Sequence, residues 1–271
     1  MNDEQITPTG LLGEPRASQM DLPSTVSAAI HTIRLRQLLA RMQSVMYPQT
    51  GREPPSEPLF AAGFRLELDQ WLAASPKQLE INRTHKNAFS SLEWFQLMHW
   101  HSILLVYRYQ LVPHPTGFTT APSVYLDCAN AAQSICVTYR HLYLTQRLND
   151  TWGALHVLFL GGVTFLHCLW SSVDVRLSYR QDKVSSTCTS CLIVLAVMAE
   201  RWSAVKPYRD AFDMISSATQ SMLADSETIL TDATMPVLSS HGHDQFLGYM
   251  TSMSEIGICP SVEELLAGMI S

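Results

Sequence analysis

The nineteen residues from Trp152 to Trp170, WGALHVLFLGGVTFLHCLW, contain no Lys, Arg, Asp or Glu. A stretch this apolar lies either in a bilayer, which takes about 20 residues to cross, or along the axis of a protein core. His156 and His167 interrupt it, no Lys or Arg lies close beside it, and the next apolar run, Cys188–Ala199, is too short to be a second span. These features predict a helix enclosed by other helices. At its centre Gly161-Gly162 leaves room for a neighbouring helix to approach closely.

The flanking sequence repeats the helical period. Residues 1–22 carry turn-forming punctuation without a sustained period and read as a disordered lead-in. A helix is expected from Ser24 or Thr25 to about Tyr47, its core face formed by Val26, Ile30, Ile33, Leu38, Met42 and Val45, with Pro48 ending it. Arg34, Arg36 and Arg41 occupy its other face, which reads as solvated. Pro54, Pro55 and Pro58 make a rigid linker, and Leu59–Ala74 returns to helix through Phe64, Leu68, Trp71 and Leu72. Ser90 and Glu93 form a capping box for a helix ending at Leu111, before Pro113 and Pro115. Ser123 and Thr151 are the expected caps of the next two helices, the first running to about Leu144. Val184–Trp202 and Lys206–Ala224 are the last strong helices, and Val262–Ile270 is a candidate short one. Period-2 alternation with hairpin turns does not recur. The expected fold is all-α, an irregular array of antiparallel helices around one very apolar central helix. Residues 23–225 form the helical domain, and 226–271 form an acidic C-terminal segment.

Charge and cysteine usage narrow the function. Only 15% of residues are charged and the net charge is −6, with nine acidic and two basic residues from Lys206 onward. Gripping phosphate backbones needs clustered Lys and Arg, so no direct nucleic-acid binding is expected, and no membrane partner either. The polar, acidic start is unlike a signal peptide, and the six cysteines mostly lie in apolar stretches, as in a reducing compartment. Cys188 and Cys191 have the spacing of half a zinc site, but no second close pair exists. His99 and His101 stand two apart on a helix and point in different directions. His241 and His243, with Asp244, read as loop polar residues. Nucleophile-elbow, phosphate-loop, dinucleotide and zincin motifs are lacking, so neither an enzyme nor a bound cofactor is expected.

The most specific string runs from Leu195 to Phe212, LAVMAERWSAVKPYRDAF. It resembles the "LAERW…YRDxF" segment near the end of the middle homology region of fungal zinc binuclear-cluster transcription factors. Other blocks agree in order. Cys128–Ile135 is similar to that family's "C…AA" helix opening. Trp152, Phe159, Gly161, Thr164, Cys168, Leu169 and Trp170 resemble its "W…F.AG.T.LYC.W" helix, with Gly162 in place of Ala and His167 in place of the common Tyr. Leu104–Tyr109 resembles "LLLYRP", with Tyr109 instead of proline. The resemblance covers about residues 60–225. It implies an all-helical regulatory module, nuclear, whose partners are other transcription-regulatory proteins or itself. The family's DNA-reading zinc cluster, C-x2-C-x6-C followed by a second such set, is not in this sequence. Two residue groups follow as expectations. Glu200, Arg201, Trp202, Tyr208, Arg209, Asp210 and Phe212 form a structural elbow, held by charge pairs across the turn and by buried Trp202 and Phe212. Truncating Trp202 should then cost about 3–5 kcal/mol. In a small-molecule-sensing alternative, Trp152, His156, His167 and Trp170 line one apolar pocket.

Overall fold

The structure, a computed structural model, describes residues 6–7, 10–11, 25–46, 58–76, 91–111, 120–145 and 151–224, with Thr251, Met253 and Leu266 as single positions. Among the described residues the fold is all-α. Its helices are α1 (Thr25–Met46), α2 (Pro58–Ala73), α3 (Leu92–Leu111), α4 (Pro122–Leu144), α5 (Trp152–Ser171), α6 (Val173–Ser178), α7 (Gln181–Arg201) and α8 (Lys206–Ala224). A one-turn 3-10 helix, Ser203–Val205, joins α7 to α8. Within the expected lead-in, Ile6–Thr7 and Gly10–Leu11 form a two-residue antiparallel ladder, Ile6 opposite Leu11 and Thr7 opposite Gly10. Of the candidate helix Val262–Ile270 only Leu266 is described, helical and buried. His241, His243, Asp244 and Cys259 lie outside the described residues.

Helix starts follow local chemistry, with two corrections. Thr151 caps α5 as expected, its hydroxyl accepting the Ala154 N–H at 3.1 Å. For α3 the cap is Ser91, which accepts the Trp94 N–H at 3.1 Å; Ser90 lies outside the described residues. Ser123 does not cap α4. The chain enters that helix through Ala121, without a side-chain bond, and Pro122 takes the first turn, where a missing N–H costs nothing. The sequence reading also missed α6, which starts as soon as α5 ends. Ser172 closes one helix and caps the other, accepting the Val175 N–H at 3.4 Å. Arg176 of α6 is buried and its guanidinium donates to the carbonyls of Leu169 and Trp170, each at 2.9 Å, satisfying the otherwise orphaned C-terminus of α5.

The chain forms two compact units, Met1–Ser102 and Ile103–Ser271. In the first unit α1 packs on α2. The buried stripe of α1 is Ala28, His31, Leu35, Leu38 and Met42, whereas Ile30, Ile33 and Val45, expected in the core, are exposed. Both stripes obey the helical period. The one that wins carries His31, whose ring stacks on Trp71 of α2 at 4.4 Å between centroids and meets the edge of Phe95 at 4.9 Å. Trp71 completes the contact by donating its indole N–H to the His31 carbonyl at 2.9 Å.

In the second unit α5 is the axis. It packs against α4, α6, α7 and α8, and every residue from Leu158 to Trp170 is buried. Both α5 and α7 are long and apolar enough to cross a membrane; in α5 that apolarity is turned to other helices. The two glycines admit different neighbours. A Cβ on Gly161 would stand 2.9 Å from Ile135 of α4, and one on Gly162 would stand 2.6 Å from the Phe212 ring of α8 and 2.9 Å from Cys191 Sγ of α7. Gly162→Ala should therefore destabilise the unit. Alanine favours the helix by about 1 kcal/mol, but overpacking a filled core costs about 1–3 kcal/mol, and an aromatic ring fixed by burial yields poorly. Urea unfolding checks this, and a raised midpoint would mean that α8 can withdraw freely.

Candidate functional site

The elbow between α7 and α8 is built by Trp202. Its extended backbone ends α7, with its N–H bonded to the Met198 carbonyl at 2.9 Å, and its own carbonyl accepts the Val205 N–H at 3.0 Å to close the 3-10 turn. Pro207 follows in the first turn of α8, as the sequence suggests. From there α8 sends two aromatic side chains inward: Tyr208, fully buried and edge-on to Phe159 at 5.0 Å, and Phe212, buried over Gly162.

One feature of the expected clamp is corrected. Trp202 is only half-buried and does not join Phe212 in the core, because a residue that ends one helix and starts the next turn stands at the margin of both. At the elbow Arg209 pairs with its neighbour Asp210, at 2.6 Å between Nη2 and Oδ1, and Glu200 and Arg201 stand at the surface. Adjacent partly exposed charges contribute little, about 0–1 kcal/mol. Packing by Tyr208 and Phe212 holds the elbow.

What the elbow presents outward is aromatic. Trp152, at the first turn of α5, is 40% exposed. It lies 4.9 Å from the His156 ring and 6.2 Å from Tyr208. With Trp202, Arg201, Thr151, Ser203 and Ala204 it lines a shallow open depression.

The four residues proposed for one ligand pocket do not meet. Along α5, Trp152 and Trp170 are about 27 Å apart at 1.5 Å per residue. His156 donates Nδ1–H to the Trp152 carbonyl at 2.8 Å, beside the depression. His167 turns to the end of α3, its Nε2–H donating to the Leu111 carbonyl at 3.0 Å and lying 3.3 Å from Ser171 Oγ. Trp170 turns to α8, where its indole N–H donates to Thr219 Oγ1 at 2.8 Å. His167 and Trp170 thus find separate partners in the core, while Trp152 and His156 stay at the surface depression. Burial lowers the His167 pKa to about 4, against a smaller opposing effect of the Leu111 bond, so the ring is neutral near pH 7.

The remaining titratable clusters are structural. His99 donates to Asp69 at 2.8 Å; its pKa is lowered chiefly by burial, with the Asp69 bond and charge acting the other way. His101 instead feels Arg36, and burial first, that charge second, lowers it to about 4. The two rings thus face different helices. Cys128, Cys136, Cys168, Cys188 and Cys191 are all buried thiols outside any disulfide. Burial, with neighbouring Cys136 adding to it, pushes Cys188 up to about 12, and burial with Cys136 also holds Cys191 well above the ordinary thiol value. Protonated buried thiols are poor ligands and nucleophiles. Among the described residues no group of three or more His, Cys, Asp or Glu is placed to hold a metal ion. Chelator treatment is accordingly expected to leave the helical circular dichroism and melting temperature unchanged, and a large drop would reveal a structural metal.

Three known proteins resemble this chain. It is 26% identical over 264 aligned positions to the "Positive regulator of purine utilization" of Emericella nidulans, with 82% of this chain covered. It is 24% identical over 221 positions to the "Pyrimidine pathway regulatory protein 1" of Saccharomyces cerevisiae, with 78% covered. It is also 24% identical over 144 positions to an uncharacterized transcriptional regulatory protein of the same yeast, with 47% of this chain and 10% of that protein covered. The chain spans about a quarter of the length of the first two curated relatives, 24% and 23%. No protein-family model matches the chain, and no solved structure does.

Proposed function

We propose, for a chain whose homologues are fungal transcription regulators, that it is an all-helical regulatory module controlling a metabolic pathway in the nucleus through protein contacts. The observation that carries this reading is its similarity over about four-fifths of its length to regulators named for purine and pyrimidine pathways. Those pathways are the first to test. The geometry supports contact over catalysis. Burial keeps His31, His101 and His167 and the thiols of Cys168, Cys188 and Cys191 neutral near pH 7, and the Trp152–Trp202 depression beside Arg201 offers an exposed aromatic surface. Tryptophan and arginine are the residue types that dominate binding energy at protein interfaces.

The test fuses the chain to a heterologous DNA-binding domain in a fungal reporter strain. The fusion should change reporter output several-fold, and a Trp152→Ala/Trp202→Ala variant that stays folded should lose most of that change. Output equal to the bare DNA-binding domain would overturn the reading. The purified chain should also leave duplex DNA unretarded at physiological salt, since its net charge is −6 and phosphate contacts need clustered cations. Tight, sequence-dependent retardation would contradict the assignment to protein contacts.

A further inference from the structure

Helix α1 has an outward face that its packing leaves unused. It carries three arginines and neither Asp nor Glu. Its second apolar stripe is exposed, with Ile30 45% and Ile33 55% accessible. Arg34, Gln37 and Arg41 continue along the same side at helical spacing and, with Gln70 and Ala74 of α2, border a groove above the His31–Trp71 stack. Arg36 flanks this face and is exposed. Arg41 is bonded to Glu67 across the groove.

We propose that this face docks an acidic amphipathic helix of a partner protein. The apolar residues of such a helix, spaced i, i+3 and i+4, would cover Ile30 and Ile33, and its carboxylates would meet Arg34 and Arg36. This is the helix-in-groove mode of recognition, in which a row of apolar anchors supplies affinity and charge sets partner choice and encounter rate. Three alternatives fit less well. A phosphate backbone has no apolar surface for the two isoleucines, and would meet the carboxylate of Glu67 at the groove. A second copy docking through the same face would set three arginines against three. A solvated face explains the arginines but leaves two isoleucines, more than half of one of them, in water. The site belongs to the first unit and the Trp152–Trp202 depression to the second, and they share no residue, so the two readings are tested independently.

The experiment uses the full chain and a labelled 20-residue peptide with Leu and Phe at i, i+3, i+4 and i+7 and Asp or Glu on the flanks, read by fluorescence anisotropy. A scrambled peptide of equal composition and a 20-base-pair DNA duplex are the controls. The amphipathic peptide should bind at least tenfold more tightly than the scrambled one. Binding should weaken about tenfold in Arg34→Glu/Arg36→Glu and also in Ile30→Ser/Ile33→Ser. All four positions are exposed, so both variants should keep the parental melting temperature. Equal binding of the scrambled peptide, parental affinity in the isoleucine variant, or no binding at all would overturn the proposal. Tighter binding of the duplex, lost in the arginine variant, would reassign the face to nucleic acid.

Discussion

Phe212→Ala should bring the second unit close to unfolding, while Trp202→Ala should melt within a few degrees of the parent. Phe212 is 1% exposed, and its ring lies where a side chain on Gly162 would otherwise stand. Removing the ring opens a cavity whose opposite wall is a glycine with nothing to fold into it. Truncating a buried Phe costs about 3–5 kcal/mol, more where the site cannot collapse, against a total stability of about 5–15 kcal/mol. In a domain of this size each kcal/mol is about 2–4 °C of melting temperature, so a fall on the order of 10 °C is expected. Trp202 is half-buried at the surface and loses mainly water-facing contact. Its effect should appear instead in partner binding through the Trp152–Trp202 depression. Thermal melts of both variants decide the matter. A Phe212→Ala melt at the parental temperature would mean that α8 is not locked on Gly162, and a Trp202→Ala collapse would restore tryptophan as the anchor of the elbow.

The contrast between these two residues shows what could be read ahead of the structure. An apolar run without a charged residue, but with His156 and His167 in it and no Lys or Arg close beside it, suits the core of a helical protein better than a bilayer, so α5 and its enclosure follow from composition and flanks. The bounds Lys206–Ala224 follow from Pro207, because proline belongs in a first turn. Trp202 and Phe212 are both large and apolar, and pattern cannot tell which one falls at a helix end. The same ambiguity affects α1, where two stripes have equal periodicity and the buried one was chosen by Trp71 and Phe95, distant in sequence. Helix α6 escaped because six residues hold less than two turns of pattern. The supposed pocket failed for a reason of reach: Trp152, His156, His167 and Trp170 share a helix but neither a height nor a neighbour. The exposed arginines of α1 were legible as such, and the exposed isoleucines beside them were not.

Acidification from pH 6.5 towards 4 should destabilise both units even though the chain contains few charged groups. In the first unit His31 is buried on Trp71, and burial first, Arg34 second, lowers its pKa to about 4. In the second unit burial does the same to His167. An unfolded histidine titrates near 6.5. Above that pH the imidazoles are neutral in both states and the full stability is present. Between about 6.5 and 4 the unfolded chain binds protons that the folded one refuses, so stability falls with falling pH. Below about 4 both states are protonated and this contribution is exhausted. Each group accounts for at most about 3.5 kcal/mol, from 1.4 kcal/mol per pKa unit, which is a large share of a domain's stability. Urea midpoints should therefore drop steeply across that window and level off near neutrality. His167→Tyr tests the assignment within the second unit: tyrosine is the common residue there in the resembling family, and it does not titrate in this range. The variant should flatten the slope of the second unit's stability against pH whatever its absolute stability, and an unchanged slope would place the titrating group elsewhere.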